Sequence, residues 1–503
     1  MLLAGLVLGL GLAAFGARTH WVEEVGSAER DGYVAQAERL LAGEAPRDPF
    51  RPPLYTYAIA ALTPAIGEAF AAARLIANLS AAALALLAFG FARRLAAGEN
   101  AVAAGLWAFA LVALNPNTWI LGQHTTTDMP FAALAGTALL AAFAYLERPR
   151  FATAAIAALA WALAAMTRGN AALLLPGLIA AWWMAAPLAG QLSRRQRLTH
   201  LAAAVGLACL VMLPHWILRA RTFGSPFYDE NWKNLAWKLD GYPDWSRLDT
   251  IPATGSFAFV LSGHPGDVAR GAASELWRFV ATGATQLFGT WAHALAFAAG
   301  AVLCWRARPR QTAWLIGTSL IFLVGIATAF FAWGRLILVL LPIGAALGAA
   351  GATHVPQLAV ERRRLVTVGL ALLALLLAVK TVGFRLPAFV LHHPTEDVAT
   401  LRRLEATLAR GLPLAGTSPF LDRYLTHPYV AIPDAFGEET RNGSAYLARL
   451  VTTLRGRRVA YLVIGSADLR DRPVALLGLG DAPNGLALVE RTPRLTVWKV
   501  LPK

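Results

Sequence analysis

Eleven runs of about 17 to 23 mostly apolar residues, separated by short charged loops, constrain this chain more than any other feature. At 1.5 Å of helical rise per residue such a run crosses a hydrocarbon core of ~30 Å. The runs lie near Met1 to Ala17, Phe70 to Ala92, Ala101 to Trp119, Met129 to Leu146, Phe151 to Thr167, Ala171 to Leu192, Leu198 to Leu218, Gln286 to Trp305, Thr312 to Phe331, Leu336 to Thr353 and Leu365 to Gly383. Of the 503 residues 57% are hydrophobic and only 15% charged, more apolar surface than one water-surrounded core can hide, so a bilayer must act as solvent for the rest. The expected class is an α-helical polytopic membrane protein with about eleven transmembrane helices. The first run lacks a basic segment ahead of it and is read as a retained span rather than a cleaved signal. Cys209 and Cys304, the only cysteines, both fall inside runs, which leaves no pair placed for a structural disulfide and no thiolate cluster for zinc.

Arginine sets the expected orientation, because positively charged loops resist translocation. Alternate loops carry Arg93 and Arg94, Arg148 and Arg150, Arg194, Arg195 and Arg197, Arg306, Arg308 and Arg310, and Arg362 to Arg364, against only Glu99, Glu147 and Glu361. These loops are therefore expected in the cytoplasm. Residues 18–69 and 219–285 then form outer loops, and an odd number of spans places the C-terminal tail outside the inner (plasma) membrane. The net charge of +15 follows largely from this topology, and no basic run is interleaved with exposed aromatics, so nucleic acid is excluded as a partner.

Composition changes after Gly383. Residues 1–385 read as the membrane domain, and 386–503 as a small α/β domain with strands at Val459 to Ile464, Ala487 to Glu490 and Leu495 to Val500 and a helix over Glu438 to Arg455. The glycines from Gly478 to Gly485 lack the spacing of a nucleotide loop and are read as a turn.

Three groups of residues can carry chemistry. In the first outer loop Glu29 and Asp31 precede Tyr33, which opens a stretch of helical spacing to Leu41. A carboxylate held at the bilayer boundary can take the proton of a reacting hydroxyl, although the same residues also fit a solvated acidic loop. Asp128 stands at the mouth of the fourth run, where an acidic side chain suits a site, and Thr127 or Asp128 also suits a helix N-cap before Met129 and Pro130; the two readings are compatible. His124 lies four residues earlier and could share a divalent cation with it. Finally Arg51, Arg74, Arg168, Arg219 and Arg335 sit near the expected outer boundary, suited to gripping phosphate oxygens or, alternatively, to snorkelling.

These motifs together resemble the GT-C superfamily, in particular bacterial relatives of protein O-mannosyltransferases and of the lipid A aminoarabinose transferase. The matching features are Glu29 four residues before Tyr33, Ala37 to Gly43, Arg51-Pro52-Pro53-Leu54, Gly67-Glu68 with Arg74-Leu75, Thr127-Asp128-Met129-Pro130 and Met166-Thr167-Arg168-Gly169. Pro214-His215-Trp216 with Arg219, then Phe223-Gly224 and Pro226, and Arg335 with Pro342 continue the series. Glu29 stands where the family usually has aspartate, so the base is either Glu29 or Asp31. The W-W-D signature of oligosaccharyltransferases is absent, since Trp182-Trp183 is followed by Met184.

The resemblance implies a GT-C fold and transfer of a sugar from a polyprenyl-phosphate donor to a lipid, glycan or protein acceptor. Arg51 would grip the phosphate, helped by Arg74, Arg168, Arg219 and Arg335, with Tyr33 lining the substrate. Glu29 or Asp31 would be the base and Asp128 a second carboxylate, with inversion at the anomeric carbon and with or without a divalent cation. The rival reading is a transporter or flippase of lipid-linked sugars. Carriers place ionisable groups near mid-span and often show inverted repeats, whereas here the charges lie at span ends and no such repeat is visible.

Overall fold

The computed structural model describes residues 1–19, 32–44, 48, 50–96, 98–185, 193–241, 251, 255–332, 334–354, 360–387, 395–416, 425–432, 443–465, 485–492 and 495–502. They divide into two compact units, Met1–Phe15 with Gln36–Pro387, and Gly16–Ala35 with Ala388–Lys503.

The first unit is helical. In chain order the helices are α1 (Leu2–Thr19), which leaves the first unit after Phe15, α2 (Tyr33–Leu41), which enters it at Gln36, then α3 (Leu54–Ile66), α4 (Ala69–Leu95), α5 (Ala101–Ala113), α6 (Pro116–Leu121), α7 (Asp128–Glu147), α8 (Phe151–Ala165), α9 (Leu175–Met184) and α10 (Arg194–Phe223). They continue with α11 (Trp232–Leu239), α12 (Phe257–Gly263), α13 (Pro265–Arg278), α14 (Ala284–Phe288), α15 (Trp291–Ala307), α16 (Pro309–Ala329), α17 (Leu340–Thr353) and α18 (Val360–Ala378). Among the described residues each of the eleven apolar runs overlaps one of these helices or a broken pair of them; residues 186–192 of the sixth run lie outside the described residues.

Among the described residues five helices are long and apolar enough to cross a membrane whole, within Ala69–Leu95, Asp128–Glu147, Arg195–Phe223, Pro309–Ala329 and Leu365–Arg385. Others are interrupted where the sequence supplies a reason. Asn115 ends the run of α5, and its side chain accepts the amide of Asn117, starting α6 on Pro116. Gly289, at φ +100°, bends Pro265–Phe288 from Trp291–Ala307 by 97°. Leu336 to Val339 form turns rather than the first turn of a helix, and α17 begins only at Leu340. The apolar helix α3 had not been expected. Its thirteen residues follow two prolines and end on left-handed Gly67.

Small residues set the packing. A Cβ on Gly300 would come 2.4 Å from the carbonyl oxygen of Leu347, and one on Gly351 2.4 Å from Gly300 Cα, so α15 and α17 cross backbone to backbone. Helix α7 is the centre of the bundle, with 83% of its apolar window buried, whereas α10 has only 6%. The outer helix is thus solvated by lipid and the central one by protein. Whatever stands at the end of α7 is positioned by the whole bundle.

The second unit carries a five-stranded sheet in the order β2-β1-β3-β5-β4, from β1 (Leu414–Gly416), β2 (Tyr429–Ala431), β3 (Tyr461–Gly465), β4 (Leu486–Arg491) and β5 (Leu495–Val500). β1 pairs in parallel with β2 and β3, and β5 antiparallel with β3 and β4. The three expected strands are present, and the expected helix is described over Gly443–Gly456, residues 438–442 lying outside the described residues. Two strands of three residues and the helix Thr395–Glu405 were not foreseen, being too short or too polar to show a period. Of the expected turn over Gly478 to Gly485, only Gly485 is among the described residues.

Candidate active site

Asp128 is the first residue of α7 and is 1% exposed. Thr127 occupies the N-cap with no side-chain cap bond, so the carboxylate is not spent on capping. Its Oδ2 accepts from the hydroxyl of Thr126 at 2.8 Å, Arg168 pairs with Oδ1, and Arg335 Nη1 stands 3.7 Å from Oδ2. The two guanidinium groups come from different parts of the chain, the turn after α8 and the unwound stretch before α17. A buried charge is tolerable only when so surrounded. His124 is 5% exposed, and burial pushes its imidazole down to about 4, against the pull of Asp128. It is therefore a neutral ring near neutral pH. Among the described residues no group of three or more His, Cys, Asp or Glu side chains could hold a metal ion.

A second cluster surrounds Arg51. Asp48, three residues earlier, accepts the backbone amides of Phe50 and Arg51 at 2.8 and 3.0 Å, forming a tight turn. Its other oxygen takes Arg51 Nη1 at 3.0 Å and the amide of Gln36 at 2.9 Å. Two prolines then fix the chain into α3. The amide of Leu54 donates to the carbonyl of Met166 at 3.0 Å, which ties the Arg51 turn to the turn that carries Arg168. Asn231 adds a brace from the second outer loop, its Nδ2 donating to the Phe50 carbonyl at 2.9 Å and to Asp229 at 2.6 Å.

The structure thus brings Asp128, Arg168 and Arg335 into direct contact and links Arg51 to them through backbone. Arg219 is held by contacts of its own. It is 5% exposed, donates to His215 Nε2 at 3.2 Å and to the carbonyl of Tyr228, and so fixes the chain as it leaves α10. Tyr228 in turn donates to Glu230, a bond that pushes its phenol pKa up, and Glu230 binds Lys233 at 2.7 Å. Arg74 lies on α4 with its guanidinium 5.3 Å from the ring of Phe70. Tyr33 begins α2 and is buried, in the second unit. Glu29 and Asp31 lie outside the described residues.

Sequence reasoning missed Asp48 and Asn231. For Asp48 a signal existed, an aspartate three residues before an arginine that two prolines follow, which is a turn signature. Asn231 had none beyond its neighbour Asp229.

A family model described as dolichyl-phosphate-mannose-protein mannosyltransferase matches residues 50–217, which include Arg51, Arg74, Asp128 and Arg168. No curated protein matches the chain. Among solved structures, ArnT from Cupriavidus metallidurans bound to undecaprenyl phosphate is similar, at 16% identity and a TM-score of 0.56 over 99% of this chain and 97% of that one. The archaeal oligosaccharyltransferase AglB from Archaeoglobus fulgidus, in complex with an inhibitory peptide and a dolichol-phosphate, gives 14% identity and a TM-score of 0.52 over 92% of this chain and 69% of that one. This is a multi-pass membrane protein with the GT-C fold. Within that class, the likeness to protein mannosyltransferases and to ArnT read from the motifs holds.

Proposed function

We propose that the chain transfers a sugar from a polyprenyl-phosphate donor to a lipid, glycan or protein acceptor at the outer face of the membrane. One observation carries the reading: a fully buried carboxylate at the end of the central helix, matched by two arginines and tied to the Arg51 turn. ArnT with undecaprenyl phosphate and AglB with dolichol-phosphate support the lipid class of the donor.

In this reading Arg51 grips the phosphate with two parallel hydrogen bonds, exchanging Asp48 for the incoming oxygens. The acceptor hydroxyl attacks the anomeric carbon from the face opposite the phosphate. The carbon–oxygen bond to phosphate breaks, polyprenyl phosphate leaves with the electron pair, and configuration inverts. The hydroxyl proton passes to a carboxylate, Glu29 or Asp31 from the first outer loop or Asp48 beside Arg51. Asp128, paired with Arg168 and Arg335, orients the acceptor and fixes the local field. Because two guanidinium groups already neutralise it, a cation at Asp128 would compete poorly, and transfer should persist in the presence of a chelator. Lost transfer on chelation, restored by one divalent metal, would overturn that expectation.

The test is transfer of a labelled sugar from a polyprenyl-phosphate donor by the purified chain in lipid vesicles. Transport of intact donor across the vesicle without bond cleavage would replace this reading with the flippase. The inner membrane location with an outer C-terminus is tested by a reporter active only outside the cytoplasm, fused after Lys503, which should be active.

A further inference from the structure

Arg335 reaches Asp128 from chain that is not helical: α16 ends at Ala329, α17 begins at Leu340, and residues 334–339 form successive turns. Backbone groups in such a stretch need partners from elsewhere in the fold, since no helix of their own supplies them. Two buried charged side chains of the second outer loop grip the chain just ahead of these turns, at the end of α16 and at Ala332. Lys238, on α11 and 7% exposed, donates its ammonium to the carbonyl of Ala327 and lies 3.5 Å from that of Thr328, at the end of α16. Glu275, on α13 and 2% exposed, accepts the amide of Ala332 at 3.1 Å through Oε2, while Arg278 holds its Oε1 at 2.9 Å. Trp237 packs against Phe330 with ring centroids 6.0 Å apart. There is little slack around these contacts, because a Cβ on Gly271 would stand 3.1 Å from Lys238 Cε and one on Gly283 3.3 Å from the Ala332 carbonyl.

Water could cap a helix end without burying charge, so an ammonium and a carboxylate removed from solvent at one junction point to a junction that must not move. We propose that Lys238 and Glu275 are positioning residues that clamp the junction between α16 and α17 and thereby hold Arg335 beside Asp128. The clamp is a statement about structure; its bearing on sugar transfer rests on the function proposed above. It gives α11 and α13 a task that no candidate site residue performs, since neither helix contributes a group to Asp128.

The experiment uses the full chain in detergent or vesicles and compares Lys238→Met, Glu275→Ala and Glu275→Gln. Methionine keeps the stem of Lys238 and removes its donors, alanine removes the acceptor of Glu275, and glutamine retains an amide oxygen for Ala332. Hydrogen exchange of peptides over residues 330–340 should accelerate by about tenfold or more in Lys238→Met and Glu275→Ala, and stay near wild type in Glu275→Gln, with peptides of α7 unchanged in all three. Unchanged exchange in both loss variants would overturn the clamp. In transfer assays the loss caused by Lys238→Met should vanish in an Arg335→Lys background, because the clamp acts through that guanidinium. Accelerated exchange with a loss that is the same in both backgrounds would overturn the positioning role. A wild-type chain that transfers no sugar would defeat the functional reading, and the exchange measurements would still decide the clamp.

Discussion

Asp128 and Asp48 are both carboxylates paired with arginine, and they are built in opposite ways. Every charged partner of Asp128 is remote in sequence: Arg168 comes from the turn after α8 and Arg335 from the junction before α17. The partners of Asp48 are mostly its own neighbours, the amides of Phe50 and Arg51 and the guanidinium of Arg51 three residues on. A charge held by several elements cannot shift without shifting the bundle, whereas a pair inside one turn can part and re-form at the cost of a side-chain rotation. The difference separates two kinds of work in one site. In the function proposed above, Asp128 would supply a fixed field, and Asp48 would park an arginine to be released to its ligand.

The largest effect should follow from breaking the fixed member. Asp128→Asn leaves Arg168 and Arg335 facing each other without a counter-charge, so transfer should fall by about two to four orders of magnitude. Thermal stability should fall as well, because uncompensated buried charge costs about 3 to 5 kcal/mol in comparable cases, less here where each arginine side chain keeps about a fifth of its exposure. The rate is therefore measured on protein that remains monodisperse at the assay temperature. Near-normal transfer by folded Asp128→Asn would make Asp128 a scaffold ion pair and remove it from the chemistry.

Next comes the exchangeable member. Arg51→Ala should weaken use of the donor by about ten- to a hundredfold, and Arg51→Lys by less, since lysine keeps the charge and loses the fork. The effect should appear mainly in the KM for the donor. Equal donor use by wild type and Arg51→Ala would move the phosphate to Arg168 or Arg335 and erase the contrast drawn above.

Asp48→Asn sharpens the contrast further, because asparagine still accepts the two backbone amides and preserves the turn while lowering its hold on the guanidinium. If Asp48 only parks Arg51, donor binding should tighten or stay level, with kcat changed by no more than about tenfold. A collapse of kcat by about a hundredfold or more with donor KM intact would instead make Asp48 the proton acceptor, in place of Glu29 and Asp31.

Much of this arrangement was legible in the sequence, for identifiable reasons. Apolar runs are long and repeated, so the described spanning helices showed in run length, and Asp128 showed itself as an acid at the mouth of a span. The contact of Asp128 with Arg168 and Arg335 was not legible, since 40 and 207 residues separate them and only the packing of the bundle brings them together. Helix α3 escaped notice because thirteen apolar residues are too few for a span, and the unwound residues before α17 looked helical because Leu336 to Val339 have the composition of a span. The backbone there is set by tertiary partners, as Lys238 and Glu275 illustrate, and tertiary partners leave no local period.

The smallest expected effect tests whether the Arg51 turn depends on anything beyond itself. Asn231 joins it from 181 residues away through one hydrogen bond to the Phe50 carbonyl, and that bond is neutral and only partly buried. Removing it in Asn231→Ala should cost about 0.5 to 1.5 kcal/mol, a two- to tenfold loss in donor use with little change in kcat. Asn231→Asp should be worse than alanine despite its closer shape. It cannot donate to the carbonyl, and it sets a second carboxylate against Asp229, whose oxygen now takes the Asn231 amide at 2.6 Å. An ordering in which aspartate is harmless and alanine damaging would mean that volume, not the donor, holds the turn. No effect from either would show that Asp48, Pro52 and Pro53 set the turn alone, which is the limit in which this half of the site is wholly local.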